Sequence, residues 1–218
     1  MWKVPVGTDV VSAVFEPTTA SADRNIVFVA AHGAGGNMMD RGMLATANAL
    51  RANGFGVVRF NFLYSEKKSG RPDQMPKLKD VVAAVVAHTR AELNPDRLII
   101  GGRSMGGRAA SMLAADGFDA DGLLLLAYPL HPPGKPEQLR DAHLPAITMP
   151  VICFSGTRDP FITRSIMDDV LQRVGDNWTM HWEEGADHSF HVLKSSGRTD
   201  AEVMADIAVT AKNWASGL

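Results

Sequence analysis

Four consecutive leucines, Leu123 to Leu126, constrain this chain more than any other feature. A strand with one wet face alternates apolar and polar residues. An unbroken apolar run, here within Gly122 to Ala127, therefore reads as a strand covered on both faces, as central strands of parallel sheets are. Further short β-rich runs occur at Ile26 to Ala31, Gly56 to Phe60, Arg97 to Gly101 and Val151 to Phe154. Between the runs, apolar residues recur with helical period. Met43, Leu44, Ala47 and Leu50 make one such set, and Leu78, Val81, Val82, Val85 and Val86 a second. Met105, Ala109, Met112 and Leu113 form a third, and Ile166, Val170, Leu171 and Val174 a fourth. Strands alternating with helices predict an α/β fold, a mostly parallel twisted sheet flanked by helices.

At the edges, Val10 to Phe15 reads as a strand paired antiparallel with Trp2 to Val6, and Trp178 to Glu183 as the last strand. The first helix is expected to stop near Asn53-Gly54. The last should run from about Asp200 to Trp214, opened by a capping box of Thr199 and Glu202. Two stretches look irregular. Glu66 to Pro76 reads as a surface loop with a solvated charge run. His131 to Pro150 holds five prolines and occupies the place of a cap domain. About 20 residues cannot build a separate core, so no cap domain and an open site are expected.

A chain of 218 residues can bury a full core, and one domain over 1–218 is expected. With 45% apolar and 21% charged residues it is too apolar to be disordered. A formal charge of −2 argues against nucleic-acid or anionic-membrane partners. Lys3, Asp9, Glu16 and Asp23 interrupt the first thirty residues, leaving no leader-like apolar stretch. No run approaches a membrane span. The single cysteine, Cys153, cannot form an intrachain disulfide, and a reducing, cytoplasmic setting is expected.

Gly102-Arg103-Ser104-Met105-Gly106 follows a strand and opens a helix, as a G-x-S-x-G turn requires. There a serine sits on a sharp bend with its hydroxyl beyond the sheet's carboxyl end. A hydroxyl needs a base, itself oriented by a carboxylate, and in this version of the triad the chain order is serine, acid, histidine. Asp159 follows the strand Val151 to Phe154, and His188 follows the last strand, so both arrive in order. His191 is the competing base but falls after Phe190, where a helix is expected to begin. Glu183, Glu184 and Asp187 are the competing acids, and Asp187 is too close in sequence to pair well with His188.

Acyl transfer also needs donors for the developing oxyanion. Met105 can supply one backbone amide. His32-Gly33-Ala34-Gly35-Gly36, directly after the strand Ile26 to Ala31, supplies the second, with Ala34 the candidate and Gly33 or Gly35 as alternatives. A phosphate-binding loop is the rival reading, but neither the Lys-Ser ending nor G-x-G-x-x-G spacing is present. His32 is then expected to pack under the loop. The histidines and Cys153 show no metal-ligand spacing. Cys153 fits a buried core position. No cofactor is expected.

From about Ile26 to the C-terminal helix these residues resemble the α/β-hydrolase superfamily. His32-Gly33-Ala34-Gly35, Arg59-Phe60-Asn61-Phe62, Gly102 to Arg108 and Tyr128 to Lys135 are similar to a small lidless group related to dienelactone hydrolase. That group includes a testis-expressed protein and a subunit of a histone acetyltransferase complex. The resemblance implies an α/β-hydrolase fold and suggests that Arg103 and His131 line the site. Arg103 could equally point inward to a carboxylate. Dienelactone hydrolase itself carries cysteine where Ser104 stands. The expected function is hydrolysis of a small-molecule acyl substrate, a carboxylic ester or thioester, with a non-catalytic scaffold as the rival.

Overall fold

In the computed structural model of the chain, described over residues 1–22 and 24–218, the apolar runs pair into one eight-stranded sheet. Its strands are β1 (Trp2–Val6), β2 (Asp9–Glu16), β3 (Ile26–Ala31), β4 (Phe55–Phe60), β5 (Arg97–Arg103), β6 (Gly122–Leu126), β7 (Val151–Gly156) and β8 (Trp178–Glu183). The order is β1-β2-β4-β3-β5-β6-β7-β8. β1 pairs antiparallel with β2 and β2 with β4, while the rest is parallel. The expected N-terminal hairpin is present, and the strand expectations hold to within two residues.

The helices are α1 (Arg41–Arg51), α2 (Leu63–Glu66), α3 (Met75–Leu93), α4 (Met105–Ala115), α5 (Arg164–Leu171) and α6 (Asp200–Ala215). α1 and α6 cover one face with Met43, Ala47, Leu50, Val203 and Ile207. α3, α4 and α5 cover the other with Val81, Val85, Ala109, Leu113 and Met167. In β6 the four leucines divide between the faces, Leu123 and Leu125 toward one core and Leu124 and Leu126 toward the other. This is the two-sided burial their lack of alternation requires. β3 and β5 are neighbours, yet the helix after β3 lies on one face and the helix after β5 on the other. The chain therefore parts at their carboxyl ends and leaves a crevice there.

The capping box is formed as expected. Thr199 Oγ1 accepts from the Glu202 amide, and Glu202 accepts from the Thr199 amide at 2.7 Å. Three local expectations need correction. Val174 lies beyond α5, which ends at Leu171. Glu66 closes the short α2 instead of opening a solvated loop, because its carboxylate accepts from the Ser12 amide at 2.7 Å and from Asn61 at 3.1 Å. Helix α3 begins at Met75, with Pro76 in its first turn where no amide is needed.

The link from β6 to β7 carries only a 3₁₀ turn, Leu144–Ala146, among the described residues. Its His143 docks on α4. Ser111 donates to the Arg108 carbonyl at 2.9 Å, so its oxygen accepts from His143 Nε2 at 2.8 Å. Burial, then the Arg108 charge, pulls this imidazole down to about 4 against the opposing pull of Asp141 and Asp116. An unfolded imidazole takes its proton near 6.5. The unfolded state therefore binds more protons between those values, and stability is lost as pH falls from about 6.5 toward 4. Buried His32, also lowered, adds in the same direction. Urea midpoints at pH 7 and pH 5 test this: the drop should be smaller in His143→Gln than in the native chain.

Candidate active site

Ser104 occupies the bend between β5 and α4 with φ 47 and ψ −116, backbone strain of about 1–3 kcal/mol for a residue with a Cβ. The bend is possible because the backbone packs closely on both sides. A Cβ on Gly102 would stand 2.1 Å from the Ala31 carbonyl oxygen, and one on Gly106 2.5 Å from that of His32. Gly102→Ala is expected to cost about 3 kcal/mol of stability, since strand backbone cannot retreat. Gly70→Ala, with open space around it, should stay within about 0.5 kcal/mol. Urea unfolding of the two variants checks the contrast.

The structure brings Ser104, His188 and Asp159 together. His188 Nε2 lies 3.0 Å from Ser104 Oγ, and His188 Nδ1 lies 2.7 Å from Asp159 Oδ2. Asp159 is buried, and its Oδ1 accepts the Phe161 amide at 2.8 Å. An ionised carboxylate only accepts, so the proton of a neutral imidazole belongs on Nδ1, leaving the Nε2 lone pair toward the serine. The Phe161 ring packs on the imidazole at 4.2 Å.

The competitors are occupied elsewhere. His191 lies in a loop ahead of α6 rather than at a helix start, exposed, with Nδ1 3.0 Å from Asp200. Asp187 Oδ1 accepts from the Ser189 and His191 amides and so braces the turn that carries His188. Glu183 is buried against Arg198 and His181. Cys153 is fully buried in β7, and burial pushes its thiol up to about 12.

His32 lies under the loop after β3, as expected from its position. The Phe62 amide donates to its Nε2 at 3.2 Å, so Nδ1 carries the proton and donates to the Gly33 carbonyl at 2.8 Å. Tyr64 donates to the same oxygen at 3.1 Å. In a trans peptide the C=O and the following N–H point opposite ways. Anchoring the Gly33 oxygen inward therefore turns the Ala34 amide outward, toward a cavity of about 500 Å³ lined by Ala34, Ser104, Met105 and His188. Neither the Ala34 nor the Met105 amide donates to another group among the described residues.

Arg103 lines this cavity, as the resemblance implied, and does not turn inward to a carboxylate. Its guanidinium donates to the His188 carbonyl at 3.1 Å, rests against Gly42 and faces the Phe190 ring at 5.9 Å. Burial lowers its pKa, while Asp40, Asp187 and Asp159 oppose that from a distance. His131 does not line the cavity. It is buried, with Nε2 3.0 Å from Thr163 Oγ1 and Nδ1 3.0 Å from the Pro132 carbonyl. Sequence reading missed Tyr64, Phe161, Arg108 and Arg140. Only Arg108 carried a signal, because four residues after Ser104 on a helix it shares the same face.

Among the described residues, no group of three or more His, Cys, Asp or Glu side chains could hold a metal ion, and no helix is long and apolar enough to cross a membrane.

A parallel-centred sheet with a strained serine at the crevice between β3 and β5 defines an α/β-hydrolase type of protein. A family model described as an alpha/beta hydrolase domain matches residues 24–216, and the chain belongs to that family. It is 35% identical over 102 residues to the uncharacterized protein YfhR of Escherichia coli O157:H7, a stretch that makes up 46% of this chain and 34% of that one. The chain thus spans about a third of the length of the curated relatives it matches. Among solved structures, a serine hydrolase without lid from Xanthomonas campestris is similar with TM-score 0.76 and 21% identity, covering 98% of this chain and 93% of that one. A dienelactone hydrolase from Anabaena variabilis is similar with TM-score 0.74 and 19% identity, covering 99% and 95%. These likenesses agree with the lidless fold.

Proposed function

We propose that the chain is a serine hydrolase that cleaves a small carboxylic ester or thioester through an acyl-enzyme on Ser104. The observation that carries this reading is the continuous line of 3.0 and 2.7 Å contacts from Ser104 through His188 to Asp159. As the Ser104 oxygen bonds to the carbonyl carbon, its proton passes to His188 Nε2, and Asp159 stabilises the resulting imidazolium. The Ala34 and Met105 amides receive the oxyanion, each worth about 3 to 4 kcal/mol in the transition state. His188 then returns the proton to the departing alcohol or thiol. Water, activated by the same imidazole, releases the acyl group as a carboxylic acid.

The cavity supports a small substrate, since among the described residues no apolar cap encloses a long acyl chain. A cytoplasmic place of action accords with a lone, buried thiol. Treatment with a fluorophosphonate probe tests the reading: one probe per chain, mapped to Ser104, is expected. A folded protein that stays unlabelled would favour the scaffold and overturn the proposal.

A further inference from the structure

The cavity beside Ser104 is lined by three arginines, Arg103, Arg108 and Arg140, against one acid, Asp40. Arg103 is occupied by the His188 carbonyl. Asp40 accepts the Asn37 amide at 2.9 Å. Among the described residues Arg108 and Arg140 have no carboxylate partner, and the acids nearest in sequence are taken: Asp141 by Arg173 at 2.6 Å and Asp116 by Lys79. Arg108 Nε is buried and makes no hydrogen bond.

Arg140 is held in place through its backbone. Its amide donates to the Leu130 carbonyl at 2.8 Å, and its carbonyl accepts from the Tyr128 hydroxyl at 2.6 Å. Burial and then the like charge of Arg108 lower its pKa. The Arg140 guanidinium donates to the Pro129 carbonyl at 3.4 Å, so the two arginines share one cavity wall with neutral hydrogen-bond partners at most and no neutralising side chain among the described residues. A ligand that supplies an anion would relieve the repulsion and offer the guanidiniums a charged acceptor.

Resting on the acyl-transfer reading of Ser104, we propose that Arg108 and Arg140 form an anion subsite that takes a carboxylate or phosphate group carried by the substrate itself. Arg108 lies one helical turn along α4 from the nucleophile, about 6 Å of axial rise. That spacing suits an ester whose charged group stands a few bonds from the bond being cleaved. A guanidinium fork matches either oxyanion in two-pronged fashion.

Three 4-nitrophenyl esters of equal chain length test this: the neutral pentanoate, the hydrogen glutarate and the 4-phosphonobutanoate. The native protein should prefer at least one anionic ester over the neutral one by about 10-fold to 100-fold in kcat/KM. A preference for glutarate alone assigns the site to carboxylates, and one for phosphonobutanoate alone to phosphates. In R108Q/R140Q the anionic-to-neutral ratio should fall to near one, and in R140E below one. Added salt should weaken the native preference. A native protein that reacts with fluorophosphonate at Ser104 yet hydrolyses the three esters equally overturns the subsite alone. One that does not react overturns the hydrolase reading beneath it. A preference that survives R108Q/R140Q also overturns the assignment.

Discussion

Replacing Ser104 with alanine is expected to abolish fluorophosphonate labelling and lower ester turnover about a million-fold. Alanine carries the same Cβ through the same bend, so the fold should not change. On the proposed mechanism, what remains is a base with nothing to activate except water, beside two amides that would still stabilise an oxyanion. That accounts for a residual rate about 10³ to 10⁴ above the uncatalysed one. Ser104→Gly makes a useful companion. With φ 47 at this position, removing the Cβ should raise stability by about 1 kcal/mol while activity disappears equally. Urea unfolding and progress curves on the two variants measure both effects, and an active alanine variant would mean that another group attacks.

Asp159→Asn is expected to lower turnover about 10⁴-fold with little change in substrate binding. The reason lies in the Phe161 amide, which donates to Asp159 Oδ1 at 2.8 Å. An asparagine must present its oxygen there, which turns its NH₂ toward His188 Nδ1. The imidazole then accepts at Nδ1 and carries its proton on Nε2, facing Ser104 without a free lone pair. His188→Ala should cost at least about a thousandfold, because it removes the base outright. His191→Ala, at an exposed loop residue paired with Asp200, should leave turnover within about twofold. Equal losses at 188 and 191 would show that the imidazole had been misassigned.

The parts of the fold legible in the sequence were those dictated by local patterns. Four unalternating leucines gave a central strand, and Thr199 with Glu202 gave a helix start. Glycines at 102 and 106 gave a bend between packed backbones. Chain order placed Asp159 and His188 beyond the ends of successive strands, and that sufficed to bring them to Ser104. Side-chain direction was not legible. His131 follows β6 toward the site, yet it turns back to Thr163, and Arg103 turns to a carbonyl instead of a carboxylate. Such choices are settled by contacts with segments distant in the chain. Phe161 is an example: its amide and ring matter only once β7 and the His188 loop are side by side. The helix expected near His191 failed because Asp187 and Asp200 bind the backbone of residues 189 to 192 and hold a loop there.

The parting of the chain between β3 and β5 has a consequence for how such a protein can diversify. The Ser104 oxygen and the Ala34 and Met105 amides come from two adjacent turns anchored in the middle of the sheet, whereas Arg140 belongs to the proline-rich link on one side. Lengthening or rewriting that link would give the cavity a new wall while the reacting atoms kept their spacing. On the proposed reading, substrate range and chemical competence would thus be inherited on separate stretches of polypeptide.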